Sequence, residues 1–264
     1  MTRILVTGGT GTLGSLVVPR LRTADVEVRV LSRGPHASGD GVEHVVGDWG
    51  TGEGLAEAVR GADVVVHLAG DERHNASVAS ALVRAIRDAG ETPHLVNVSV
   101  VGAELVPVRS ALDRRALGYM ADKAAAERVL EGAGLPWTNL RATQFHELVL
   151  GAARTLARLP VLPAPTGWKA QPIAADEVAA RVAELALGAP RGRVPDVAGP
   201  EVHTFRDLLR AYLRAAGSRR PTVPVRVPGA ASRAYAAGAN LAPDRAVGRQ
   251  TWAVFLAERV RTAG

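Results

Sequence analysis

Tyr119 and Lys123 stand four residues apart, a spacing that puts two side chains on one helix face about one turn from each other. An ammonium held near a phenol stabilises the phenolate and lowers its pKa from about 10 toward working pH. Such a phenol can give a proton to a carbonyl oxygen. Ser99 closes the strand-like run His94–Ser99, at the carboxyl end where open α/β sheets bind ligands. Its hydroxyl is suited to hold that same oxygen. Ser99, Tyr119 and Lys123 are therefore the candidate catalytic residues.

A second constellation is built for phosphates. Thr7-Gly8-Gly9-Thr10-Gly11-Thr12-Leu13-Gly14 follows the first strand and opens the first helix. One glycine of such a turn allows the tight bend, one lets backbone approach a pyrophosphate, and one lets helix and strand pack closely. The helix start offers free N–H groups and a partial positive charge. The second strand ends Leu31-Ser32-Arg33, without the carboxylate that would hold a ribose 2′-hydroxyl. A guanidinium and a hydroxyl there suit a 2′-phosphate. The expected cofactor is NADP(H), with Ser32 and Arg33 at its adenosine end.

These residues need a scaffold, and the chain reads as one. Short β-branched runs at Arg3–Thr7, Val26–Ser32, Glu43–Val46, Asp63–Leu68, His94–Ser99 and Trp137–Ala142 alternate with helical stretches at Leu13–Leu21, Gly54–Val59 and Ser77–Ala89. That alternation predicts an α/β fold with a doubly wound, parallel Rossmann-type sheet. The run Val64-Val65-Val66 fits a strand covered on both faces. Val78, Leu82, Ala85, Ile86 and Ala89 give the third helix one buried face. Residues 1–150 are expected to form the dinucleotide-binding core. Residues 151–264 form a smaller, docked C-terminal substrate lobe that also lends a sheet strand, at Pro195–Ala198. Within that lobe Asp176 should cap an Ala-rich helix to about Leu187, and Thr204 a helix to about Ala216.

Composition narrows the function. The 264 residues contain no cysteine, which excludes disulfides, thiolate metal sites and a thiol nucleophile and fits a cytoplasmic setting. His36, His44, His67, His74, His94 and His203 show no metal-ligand spacing, so no metal is expected. The net charge of +6 is scattered arginine, with Lys123 and Lys169 the only lysines. No clustered stripe suggests nucleic acid. No apolar run approaches the roughly 20 residues of a membrane span, and the N-terminus carries no secretory signal.

Taken together the motifs resemble the short-chain dehydrogenases/reductases, in their atypical or extended branch that includes NmrA-like proteins. The resemblance rests on Thr7–Gly14, Gly47-Asp48, Leu68-Ala69-Gly70, Ser99, Tyr119-Met120-Ala121-Asp122-Lys123, Gly134–Thr138 and Arg141–Phe145, and loosens beyond Val178. It implies that Asp48, with Trp49 beside it, meets the adenine. Leu68, Ala69 and Gly70 flank the ribose on the nicotinamide side, where Lys123 also bonds the ribose. Gln144, Phe145, His146 and Trp168 are the implied substrate contacts. The expected activity is NADPH-dependent hydride transfer to a small carbonyl compound or quinone by a monomer or homodimer. A redox sensor without turnover, and an epimerase or dehydratase that keeps its cofactor, are the alternatives. Met120 and Gly118 depart from the branch, which often has a second aromatic beside the tyrosine.

Overall fold

The computed structural model describes residues 1–36, 39, 41–70 and 74–260. In chain order the strands are β1 (Thr2–Thr7), β2 (Val26–Ser32), β3 (Val42–Val46), β4 (Val64–His67), β5 (His94–Val100), β6 (Trp137–Ala142), β7 (Leu162–Pro165), β8 (Lys169–Ala170), β9 (Gly192–Arg193), β10 (His203–Thr204) and β11 (Thr222–Val225). The helices are α1 (Gly14–Arg22), α2 (Leu55–Val59), α3 (Asn75–Asp88), α4 (Ala111–Glu131), α5 (His146–Leu156), α6 (Ala175–Ala186), α7 (Phe205–Ala215), α8 (Ala230–Ala236) and α9 (Trp252–Val260). Among the described residues no helix is long and apolar enough to cross a membrane.

Seven strands form the main sheet in the order β3-β2-β1-β4-β5-β6-β9, with parallel pairing. This is the doubly wound Rossmann-type order, and the chain reverses direction across the sheet between β1 and β4. Ligands bind such sheets at the carboxyl ends of the strands beside that reversal. Thr7, Ser32, His67 and Ser99 all lie at those ends.

The chain divides into two compact units that interleave in sequence. The first comprises residues 1–99, 122–141 and 176–195; the second comprises 100–121, 142–175 and 196 onward. In the first, Leu5, Val65 and Leu95 on neighbouring strands are almost wholly buried together with Leu82 and Ile86 of α3. Each fully buried leucine or isoleucine contributes about 1.5–3 kcal/mol of transfer free energy. The second unit holds a two-stranded parallel ribbon, β7 with β11, and an antiparallel pair, β8 with β10. Its cores gather Leu208, Trp252 and Phe255 in one place, Leu162, Leu209 and Leu213 in another.

Two expectations change. The last strand of the main sheet is β9, paired through Gly192 and Arg193 with Thr138 and Asn139. At Pro195–Ala198 there are only isolated bridges, from Val197 to Ala142 and from Ala198 to Ala246. Pro195 has no N–H to give a ladder. Asp176 does not cap α6: it lies inside the first turn and pairs with Arg20 at 2.6 Å. Thr204 does cap α7, its Oγ1 accepting from Asp207 N.

Candidate active site

The glycine turn is sterically closed around its own backbone. Gly8 has φ +70, and a Cβ there would come within 2.8 Å of the Leu68 carbonyl and the Ala69 nitrogen. A Cβ on Gly14 would collide with the Gly8 carbonyl oxygen, and one on Gly9 with Val30. The turn closes through Gly11 N to Gly8 O at 3.0 Å. Helix α1 then begins at Gly14 with no side-chain cap and no acidic residue in its first turn. Ser15 N bonds Gly11 O and Val17 N bonds Leu13 O, so among the described residues the N–H groups without an acceptor are those of Thr12, Leu13 and Gly14, and these are left to an anion.

Thr7 ties this turn to the end of β4. Its Oγ1 accepts from the nitrogens of Leu68 and Ala69, each at 3.2 Å, and shares a hydrogen bond with His67 Nδ1 at 2.9 Å. Burial, then repulsion by Lys123, lowers the His67 pKa to about 3. Gly70 has φ +150 and abuts the Asn75 side chain.

Farther along the same edge, Ser32 is buried and donates to Gly34 O at 2.8 Å. Arg33 is exposed, and its guanidinium has no partner among the described residues. Asp48 Oδ1 accepts from Gly50 N at 2.6 Å and Thr51 N at 3.2 Å, shaping the loop after β3. Trp49 is half-buried and meets the His67 ring edge-on, centroids 6.3 Å apart.

Lys123 reaches the carboxyl end of β5, where Nζ donates to Val98 O at 3.3 Å. Burial of the ammonium lowers its pKa to about 8, against the opposing pull of Asp122 and Glu127. Ser99, the next residue along β5, is 2% exposed, and its hydroxyl has no partner among the described residues. Tyr119 is carried by the same helix as Lys123. Leu117 breaks the helical geometry (φ −141, ψ 25) just before Gly118; Tyr119 falls in the second unit and Lys123 in the first. Glycine's weak helical preference accounts for the position of the break.

Within the second unit Tyr119 packs with Leu117, Met120, Trp168, Ala231 and Tyr235. Trp168 tilts against Tyr235 with centroids 5.2 Å apart. Tyr235 donates to Met120 Sδ at 3.6 Å, and burial raises its pKa to about 12, so its phenol stays neutral. Gln144 bridges Gln171 N and Asn240 O, and the half-buried Phe145 precedes α5. His146 is fully buried: it stacks on Phe255 at 4.8 Å and Trp252 at 5.7 Å and bonds Gln250 O. Its ring serves the core of that unit.

Residues 8–187 match the sequence model of a family described as NAD(P)H-binding. The chain belongs to this family. The match agrees with the resemblance to atypical short-chain dehydrogenases/reductases of the NmrA-like kind. A reductase of (4-alkanoyl-5-oxo-2,5-dihydrofuran-3-yl)methyl phosphate from Streptomyces griseus is 33% identical over 227 residues, 81% of this chain and 74% of that protein. An NAD(P)H azoreductase of Xenophilus azovorans is 29% identical over 224 residues, with the same coverage of both. The crystal structure of an NADPH-dependent quinone oxidoreductase from Escherichia coli, complexed with NADPH, shares the fold. It superposes with a TM-score of 0.76 at 19% identity, over 98% of this chain and 99% of that one.

The site fits the family's dinucleotide. At Gly8, Gly9 and Gly14 the turn leaves no room for side chains, and Arg33 at the end of β2 is an exposed cation without a partner among the described residues. Two residues with no candidate role in the sequence act on the lysine through their charge. Asp122, inside the Tyr–Lys segment, accepts from Asn75 N at 2.7 Å, Ala76 N at 3.2 Å and Asn75 Nδ2 at 2.9 Å. It thereby caps α3 with a carboxylate, where a helix dipole favours one. One turn beyond Lys123, Glu127 forms a buried pair with Arg141 on β6 at 2.5 Å. An acidic residue next to the motif lysine was the available signal for Asp122, but nothing in sequence names its partner.

Proposed function

We propose that this protein is an NADPH-dependent reductase that delivers hydride to a carbonyl or quinone substrate through a Ser99-Tyr119-Lys123 site. The observation that carries the reading is Lys123, a desolvated ammonium tethered to Val98 O beside a buried serine hydroxyl without a partner among the described residues. A buried hydroxyl left without a partner costs about 1–3 kcal/mol, a cost that a ligand oxygen relieves. The reductases among the relatives support the same reading.

When bound, the nicotinamide supplies hydride from its C4. Tyr119 gives its proton to the substrate oxygen as the carbon is reduced. Lys123 stabilises the phenolate left behind and bonds the ribose, and Ser99 donates to the same substrate oxygen. Arg33 and Ser32 hold the 2′-phosphate, the turn from Thr7 to Gly14 holds the pyrophosphate, and Asp48 and Trp49 meet the adenine. Leu68, Ala69 and Gly70 line the ribose. Gln144, Phe145 and Trp168 are assigned to the substrate wall.

The test is a fluorescence titration with NADPH and NADH, followed by NADPH oxidation against quinones and ketones. Tyr119→Phe should lower kcat by about 10²–10⁴-fold and leave NADPH binding intact. Full activity in that variant would sink the assignment. Binding without turnover across the panel would transfer the reading to a cofactor sensor.

A further inference from the structure

The second unit contains a cavity of about 560 Å³ lined by Thr166, Arg226, Gly229, Ser232, Arg233 and neighbouring apolar groups. It is joined to the Tyr119 cluster through Ser232, whose Oγ accepts from Trp168 Nε1 at 2.8 Å. Trp168 in turn tilts against Tyr235 and packs on the same buried cluster as Tyr119.

Three features of this cavity point to one kind of ligand. Arg226 and Arg233 are exposed, and among the described residues neither guanidinium has a hydrogen bond or ion pair. Ser232 is 6% exposed. An indole N–H only donates, so the serine oxygen is the acceptor in that bond, and its own proton finds no acceptor among the described residues. The nearby carboxylate, Asp113, is consumed: its oxygens accept from Arg109 N, Ser110 N, Ser110 Oγ and Ala231 N. These bonds lower its pKa to about 2. The lining therefore presents two unneutralised cations and a buried hydroxyl donor.

We propose that this cavity binds the phosphoryl group of a phosphorylated small molecule, with Arg226 and Arg233 on its oxygens and Ser232 donating to a third. Guanidinium forks match the oxygens of a phosphate dianion in charge and spacing. The proposal rests on the reductase reading only in calling that molecule the substrate; the anion site stands on its own lining.

The experiment uses the full chain saturated with NADPH, so that the cofactor's own phosphate sites are filled. Phenyl phosphate and benzoate are titrated by calorimetry. Phenyl phosphate should bind at least about tenfold more tightly than benzoate, since two cations favour the dianion. Arg226→Gln and Arg233→Gln should each weaken it by about tenfold, and the double variant should abolish detectable binding. Ser232→Ala should weaken it less. NADPH titration of each variant checks that the chain is folded. Equal affinity for the two ligands, no binding of phenyl phosphate, or undiminished binding by the double variant overturns the site. Phosphate binding without any reductase turnover retains the site and defeats the reductase reading instead.

Discussion

Lys123 donates from Nζ to the carbonyl oxygen of Val98 at 3.3 Å, so a helix-borne cation is fixed at the residue that precedes Ser99. The ammonium has lost much of its hydration there, and its pKa falls to about 8. A cation kept in dry surroundings is a cost to the fold.

Lys123→Met should expose that cost. At neutral pH the folded chain holds the lysine charged in an environment that prefers it neutral, so the apolar variant should be more stable by about 1–2 kcal/mol. The same variant should lose most reductase activity. In the parent protein the unfolded chain binds the extra proton between pH about 8 and 10.5, so this group makes stability rise with pH across that window. Denaturant melts of both proteins at several pH values measure the effect. A Lys123→Met protein less stable than the parent, or with the parent's pH slope in that window, would contradict it.

Asp122 supplies a second handle on the same cation. Its charge opposes the fall in the lysine pKa, so Asp122→Asn should move it further down. Activity that depends on a charged Lys123 should then decline at lower pH than in the parent, and the alkaline limb of kcat should shift to the acid side. Asparagine keeps a hydrogen-bond acceptor for the start of α3 but not the full charge. A pH profile of kcat decides: an unmoved alkaline limb would mean that Asp122 acts on α3 alone.

Arg33 sets the cofactor. Replacing an exposed guanidinium by a carboxylate, Arg33→Asp, should repel a 2′-phosphate and offer an acceptor to a ribose 2′-hydroxyl. NADPH affinity should fall by about 10²-fold and NADH affinity should rise, with each lost charge-assisted contact contributing about 1.5–3 kcal/mol. Parallel fluorescence titrations measure it. Unchanged preference would place the 2′-phosphate elsewhere.

How far the chain could be read beforehand varied with the physics of each segment. β2 and β6 have the bounds that the sequence suggests: Val26, Val28 and Val30 alternate along β2, and Trp137, Thr138 and Leu140 follow the Gly134–Pro136 turn into β6. β7 and β11 were invisible: Pro163, Pro165 and Pro224 interrupt them, and proline in a run argues against a strand unless the strand is an edge. The glycine turn was legible because each glycine answers a local steric demand. His146 was not. Its family position suggests a pocket, whereas two aromatics about a hundred residues later, Trp252 and Phe255, draw its ring into a core. The pairing of Asp122 with α3 and of Glu127 with Arg141 likewise depends on contacts that no spacing along the chain encodes.

His67 carries the last prediction. It shares a hydrogen bond with Thr7 Oγ1 at 2.9 Å and burial holds it neutral, with a pKa of about 3 against an ordinary 6.5. The unfolded chain takes up a proton there as pH falls below 6.5 while the folded chain does not. By linkage, stability from this group is fully present above about 6.5 and is lost progressively as pH falls toward 3. His67→Asn removes the titration, so its unfolding free energy should flatten in that range relative to the parent, even if it is lower at neutral pH because the Thr7 contact is weakened. Thr7→Val should show a different pattern: Leu68 N keeps its bond to Thr7 O, but Ala69 N loses its acceptor and the turn is disturbed, so NADPH binding should weaken at every pH. Urea melts between pH 4 and 8 (a range that spans most of the His67 window), paired with NADPH titrations, separate the two effects. Parallel pH slopes in the parent and His67→Asn would show that the buried histidine is not the group that the folded state keeps deprotonated.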